Sequence, residues 1–198
     1  MVLSRDFYIR PDVVQIARDL LGKHLCTRID GQFTSGIISE TEAYAGITDR
    51  ASHAFGNRRT ARTEVMYMTG GTGYIYLCYG VHSLFNVVTN LEGIPHAVLI
   101  RGIIPDEGIH IMLQRTGRQK LTKDFGNGPG KVTKALGIHF SMTGIDLTKK
   151  NTGKGNDAIW LEERNNKILD SEIITSARIG VEYSGEDSKL PYRFVLHK

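Results

Sequence analysis

Apolar residues recur along the chain with two different periods. In "PDVVQIARDLLG" (residues 11–22), Val13, Ile16, Ala17, Leu20 and Leu21 fall on one stripe of a helical repeat. Pro11 and Asp12 suit its opening turn and Gly22 its stop. After Gly22 the pattern changes, and "KHLCTRI" and "FTSGIISETEAYAG" read as strands. A polar, basic, turn-rich segment follows from Ile47 to Glu64, long for a connection inside a compact domain; such segments are usually functional or mobile. "GYIYLCYG" and "SLFNVVTN" then read as a hairpin linked through Gly80, Val81 and His82. "HAVLIRGIIP" is a further strand, and a helix is expected from about Asp106 to Arg115. "DFGNGPGKVTKALGI" is a Gly/Pro loop running into a short helix that ends at Gly137. "AIWLEE", "SARIGVEY" and "YRFVLH" are expected strands, with "KKNTGKGND" as a turn before the first. No repeat or linker divides the chain, so the expectation is one α+β domain over residues 1–198, richer in strand than in helix.

Composition narrows this only slightly. With 198 residues, 40% hydrophobic and 23% charged, the chain can bury a core without staples. The net charge of +4 and pI near 9.1 permit a polyanionic partner without demanding one. Cys26 and Cys78 lie in apolar runs and are expected to be reduced core residues. The N-terminus has no apolar leader core, and no run is long enough to span a bilayer, so a cytoplasmic or nucleoid-associated protein without membrane contact is expected.

The candidate chemistry begins at "ISETEAYAG". In a strand, Glu40, Glu42 and Tyr44 share one face. Taken alone, that pattern fits a solvated face best, because glutamate is rarely buried without a partner. As a glycosidase pair the two glutamates lie about 6.5–7 Å apart, but they point in parallel rather than flanking a bond. "GNGPGKV" is not a P-loop, because Phe125 and Val132 stand where a Gly and a Ser or Thr are required. Lys131 and Lys134 at that helix start could still hold a phosphate. The histidines and cysteines lack metal-ligand spacing, so neither a metal nor a cofactor is expected. His53 is a lone loop histidine, most simply a structural hydrogen-bonding group. Tyr74, Tyr76 and Tyr79 crowd one strand, with Tyr79 at the hairpin tip, where an aromatic could wedge between bases. Asn86 and Arg101 are polar residues inside apolar strands and need either a core network or a ligand. Arg58, Arg59 and Arg62 form either a solvated loop or a phosphate clamp.

"ETEAY", a histidine nine residues after its tyrosine, "MYMTGGTGYIYLCYG", "FNVV", "AVLIRGIIP", "GNGPGKVTKALGI" and "ARIGV" occur here in order. From about Leu20 onward, this series resembles the alkyladenine (3-methyladenine) DNA glycosylase family. Without the long N-terminal extension of mammalian members, it is similar to the bacterial type. The resemblance implies a curved antiparallel sheet with peripheral helices and a hairpin protruding into the minor groove of DNA. Its implied substrate is double-stranded DNA carrying alkylated or deaminated purines, attacked by a monomeric enzyme. Glu42 then matches the catalytic glutamate that deprotonates a water, and Arg101 an arginine near that water. Tyr44, His53 and Tyr76 match the residues that sandwich a flipped base, Asn86 the asparagine that discourages guanine, and Tyr79 the intercalating tyrosine. Arg62 and Met66 fall on positions that touch the DNA backbone or groove, and Arg58, His82 and Lys131 are expected beside them. Val81 and His82 depart from the bulky pair common after Tyr-Gly. On this resemblance the opening strand is an active-site wall, with Glu40 a structural neighbour of Glu42. No lysine adjoins Glu42 to form a Schiff base, so a monofunctional hydrolase is expected rather than a lyase. The rivals are a non-catalytic nucleic-acid-binding module and a hydrolase of free nucleosides.

Overall fold

A computed structural model describes residues 1–150, 156–164 and 168–197. Its frame is an antiparallel sheet of eight strands: β1 (His24–Ile29), β2 (Gln32–Tyr44), β3 (Gly73–Cys78), β4 (His82–Thr89), β5 (His96–Glu107), β6 (Ala158–Glu162), β7 (Ile173–Ser176) and β8 (Arg193–Leu196). Along the main path the order is β3-β4-β5-β2-β1-β6, and β7 and β8 join through the pairing of β8 with β2. The thirteen-residue β2 is the spine. Its first half pairs with β1, its Glu40–Glu42 stretch pairs with β8, and β5 runs along its other edge. Glu40 and Glu42 therefore lie in a strand paired on both sides.

Helix α1 (Arg5–Tyr8) is a single turn, and α2 (Val13–Asp19) packs on β2 and β5. The stripe read from the sequence is the buried face of α2, and the Asp12 carboxylate caps it by accepting from the Val14 and Gln15 amides at 2.9 Å each. Helices α3 (Ile109–Thr116) and α4 (Pro129–Leu136) pack on each other, and α4 also covers β4 and β5. Gly137 stops α4 in the left-handed region (φ 74°), as expected. One large apolar cluster joins the helices to the sheet. A smaller one, containing Ala54, Met66, Tyr67 and Tyr74, lies beneath the Ile47–Glu64 segment, which folds as a series of short 3-10 turns.

Four local expectations are corrected. The third helix starts at Ile109, not Asp106, because β5 continues until Glu107 pairs with Ser35 and Gly108 then turns left-handed. "SARIGVEY" is not a strand beyond Ser176. Ile173–Ser176 pairs with β8 instead, and the following backbone leaves the sheet, spending the Ile179 amide and the Arg178 side chain on the site described below. Cys78 is only half-buried at the end of β3, whereas Cys26 is a free core thiol. The glutamates are not solvated: Glu42 is 0% exposed and Glu40 5%. The turn expected over "KKNTGKGND" lies largely outside the described residues. Among the described residues no helix is long and apolar enough to cross a membrane.

Candidate active site

Two compensating bulges shape the centre of the sheet. Ile38 pairs with Ile103, Glu40 with Gly102 and Thr41 with Ile100, so Ser39 on β2 and Arg101 on β5 are each left without an opposite residue. A bulge bends its strand and re-aims the extra side chain. Here the Arg101 guanidinium turns between the two carboxylates, with Nε donating to Glu40 Oε1 at 2.9 Å and lying 3.4 Å from Glu42 Oε1. The strands approach closely at Gly102, where a Cβ would sit 3.0 Å from that of Glu40. Arg193 Nε donates to the same Glu40 oxygen at 2.7 Å. Glu40 is thus a buried brace holding Arg101 and Arg193.

Glu42 is held differently. Tyr44 Oη donates to its Oε2 at 2.9 Å, and the Ile179 amide donates to Oε1 at 2.8 Å. Burial pushes the Glu42 carboxyl above its ordinary range, while Arg101, the Ile179 N–H and the Tyr44 hydroxyl pull it down. A carboxylate offers about four acceptor sites. Even counting the Arg101 contact, these three donors leave room for one more.

Beside Glu42 lies a cavity of about 350 Å³, lined by Tyr44, His53, Tyr74, Tyr76, Asn86 and Arg101 among others. Its aromatic walls are fixed. His53 Nδ1 and the Tyr74 hydroxyl are 2.9 Å apart, and the His53 and Tyr76 rings meet edge-on at 4.7 Å. Burial first, then the Arg62 and Arg58 guanidiniums, lower the His53 pKa to about 4, so the imidazole is neutral at pH 7. Asn86 donates through Nδ2 to the carbonyls of Tyr74 and Leu84 at 3.1 and 3.4 Å. Tyr44 and Tyr76 each carry a guanidinium over one ring face: Arg178 at 4.8 Å and Arg62 at 4.7 Å from the centroids.

At one edge of the cavity the β3–β4 hairpin turns over. Cys78 pairs with His82, and the Val81 amide closes on the Cys78 carbonyl at 3.1 Å. Tyr79 and Gly80 both adopt left-handed backbone (φ 50° and 72°), and Tyr79 is 95% exposed. Glycine takes that conformation freely, whereas a tyrosine there is strained. His82 is exposed on the stem and lies against the start of α4, where a Cβ at Gly130 would approach it to 3.2 Å.

Arg101, Tyr44, His53, Tyr76, Asn86 and Tyr79 therefore line one cavity, and Glu42 lies behind its wall, in contact with Tyr44 and Arg101. Arg58 and Arg62 line an adjoining cleft of about 380 Å³ that shares His53 and Tyr183 with it. Met66 differs from its expected place on a DNA-facing surface: it is 2% exposed and packs under the aromatic wall. Lys131 is half-exposed and paired with Asp124 at 2.7 Å. Arg59 is likewise paired with Glu64. A larger hollow of about 630 Å³ lies away from this site, beside α2. Its charges are spent on one another (Arg18 with Asp170, Lys23 with Glu163), so it has no evident chemistry to offer. Sequence reasoning missed Ile179, Arg178 and Arg193, although an arginine inside apolar "ARIGV" is the same signal that marked Arg101.

This arrangement can be set beside known proteins. The model of the methylpurine-DNA glycosylase family matches residues 6–198. The chain belongs to this family. Full-length relatives bear the name "Putative 3-methyladenine DNA glycosylase". One from Chlamydia felis is 44% identical over 197 residues, covering 99% of this chain and 96% of the relative. One from Desulfitobacterium hafniense is 42% identical over 201 residues (98% and 94%), and one from Bdellovibrio bacteriovorus 40% over 196 (99% and 95%). Membership in the methylpurine-DNA glycosylase family supports a hydrolase with DNA as substrate.

Proposed function

We propose that this glycosylase extrudes alkylated or deaminated purines from duplex DNA and hydrolyses the N-glycosidic bond with a water activated by Glu42. The observation that carries the reading is a fully buried carboxylate, with an acceptor site to spare among the described residues, held against Tyr44 and Arg101 in the wall of an aromatic cavity. A base inside a duplex is out of reach, so it must leave the stack at a cost of about a few kcal/mol. Tyr79 enters the gap and recovers part of that cost. The extruded base lies between Tyr44, His53 and Tyr76. A purine alkylated at N3 or N7 is cationic and is drawn to electron-rich rings; neutral His53 adds no opposing charge. Asn86 sets which purines fit.

Water then attacks C1′ of the deoxyribose and passes its proton to Glu42. The electrons of the N-glycosidic bond leave with the base, which its positive charge makes a good leaving group. The Glu42 carboxylate also offsets charge developing on the sugar. Arg101, braced by Glu40, orients the carboxylate and the water. Arg58, Arg62 and His82 contact the DNA backbone, Lys131 joins them once it exchanges Asp124 for a phosphate, and the enzyme works as a monomer without a covalent imine.

The test is single-turnover base release from duplexes carrying 3-methyladenine, 7-methylguanine, hypoxanthine or ethenoadenine, with wild type and Glu42→Gln in parallel. Release lost by orders of magnitude in Glu42→Gln, with duplex binding kept, is the expected result. Binding without release from any lesion would leave a non-catalytic DNA-binding module. Release from free nucleosides, insensitive to salt, would favour a nucleoside hydrolase. Trapping of enzyme on DNA by borohydride would refute the monofunctional mechanism.

A further inference from the structure

We infer that Arg178, paired with Asp49, is a positioning residue of the active site, one buried guanidinium holding in place both groups that hydrogen-bond the Glu42 carboxylate. The side chains of Arg178 and Asp49 are 0% and 1% exposed. Arg178 Nη1 donates to Asp49 Oδ2 at 2.5 Å and to the Ala43 carbonyl at 2.9 Å. Its Nη2 donates to Asp49 Oδ1 at 2.9 Å and to the Asp187 carbonyl at 3.1 Å. The guanidinium carbon lies 4.8 Å from the Tyr44 ring centroid and 5.3 Å from that of Tyr192. Its buried Nε has no hydrogen-bond acceptor among the described residues.

Each contact bears on Glu42. Ile179 is the next residue in the chain, so fixing Arg178 fixes the amide that donates to Glu42 Oε1. Tyr44, whose ring packs on the guanidinium, donates to Oε2. Asp49 completes the arrangement, its carboxylate accepting from the Ala45 and Ala51 amides at 3.0 Å each, which ties down the turn leading to His53. The pair thus joins three segments: the end of β2, the loop after it, and the loop after β7.

Stability alone does not account for such a pair. A buried ion pair is often no better than apolar residues of the same shape, but apolar residues could not aim an amide and a hydroxyl at two oxygens of one carboxylate. Charge balance matters too. With Asp49 neutralising Arg178, the charged groups left facing Glu42 are Arg101 on β5 and Glu40 on its own strand, Glu40 being bound in turn by Arg193 of β8. Tyr44 and, more distantly, Tyr183 complete the titratable surroundings.

The inference rests on Glu42 being the base, and its test has a readout that does not need activity. The Glu42 carboxyl is titrated by carbon-13 NMR, with its signal assigned by its loss in Glu42→Gln, in wild type and in Arg178→Lys. Lysine keeps the charge but cannot form the fork. With the two donors loosened, the titration is expected to move to higher pH. In base release from methylated duplex DNA, the acid limb of kcat should follow, with kcat falling about a hundredfold and KM little changed. A folded Arg178→Lys with an unmoved Glu42 titration and wild-type kcat would overturn the inference. If Arg178→Lys does not fold, Asp49→Asn reads the same titration, and an unmoved midpoint there is equally fatal. Should wild type release no base, the glycosylase reading fails, while the titration still decides the role of Arg178.

Discussion

Replacing Tyr79 should move stability and activity in opposite directions. Tyr79 sits at φ 50° with its side chain 95% exposed, so it has almost no packing to offset a left-handed backbone. For a residue with a Cβ that conformation costs about 1–2 kcal/mol. Glycine relieves the strain but gives the unfolded chain more freedom, worth about 0.4–1 kcal/mol in the other direction. Tyr79→Gly should therefore be more stable than wild type by about 0.5 kcal/mol, a rise in Tm of about 1–2 °C for a chain of this size. Base release from duplex should suffer, since stacking by an aromatic is worth about 1–3 kcal/mol, or about 5- to 150-fold in kcat/KM. The assays are thermal melting and single-turnover release from the same lesion in duplex and in single strand, where the intercalated gap does not exist. A variant that loses stability would refute the strain argument. A variant that keeps full duplex activity would refute insertion of Tyr79. Equal losses on both substrates would show that the residue serves the cavity rather than the gap.

Other consequences follow from charge and capping. Burial raises the Glu42 carboxyl above its ordinary value, so the folded chain binds that proton more tightly than the unfolded chain does, and stability is lost as pH rises through the raised value. Glu42→Gln should therefore melt above wild type at neutral pH, with the gap closing in acid; a lower Tm at neutral pH would mean that Arg101 outweighs burial. Arg62 is expected to contact phosphate, whereas Arg59 is already paired with Glu64. Arg62→Ala should reduce the slope of log Kd against log salt by about 1, and Arg59→Ala should leave it nearly unchanged, both read by fluorescence anisotropy on duplex. Asp12→Ala removes the α2 cap and should cost about 1 kcal/mol, seen as a Tm lowered by about 2–4 °C with base release intact.

The fold was legible where local pattern and tertiary role agree. The α2 stripe, its Asp12 cap and the apolar, β-branched runs of β2 and β4 all follow from side-chain pattern and end chemistry. Legibility failed where tertiary partners override the pattern. β-Branched "SARIGVEY" has strand propensity, yet its backbone leaves the ladder because the Ile179 amide goes to a carboxylate and Arg178 turns inward. The solvated reading of Glu40 and Glu42 failed for a related reason. Their counter-charges come from Arg101 and Arg193, residues 61 and 153 positions away from Glu40, and no local window contains them. The bulges that turn Arg101 toward them are a property of register between two strands, invisible in either alone.

Of the two places that break the rules of stable folding most openly, one lines the cavity and the other touches its lining residues Tyr44 and Arg101. Glu42 is a carboxylate with no exposed surface, and Tyr79 is a strained aromatic with almost nothing but exposed surface. Each is costly to the isolated protein, and under the proposed reaction a duplex with one base extruded would offset both costs. The extruded nucleotide would bring the sugar on which the Glu42 charge acts, and the vacated stack would give the Tyr79 ring the contacts it lacks. Repairing either feature for stability should therefore weaken the reaction, whereas the Asp12 cap, equally local and equally legible, should be alterable without catalytic effect. That contrast separates a site built for a nucleic-acid substrate from a fold that merely tolerates irregular residues.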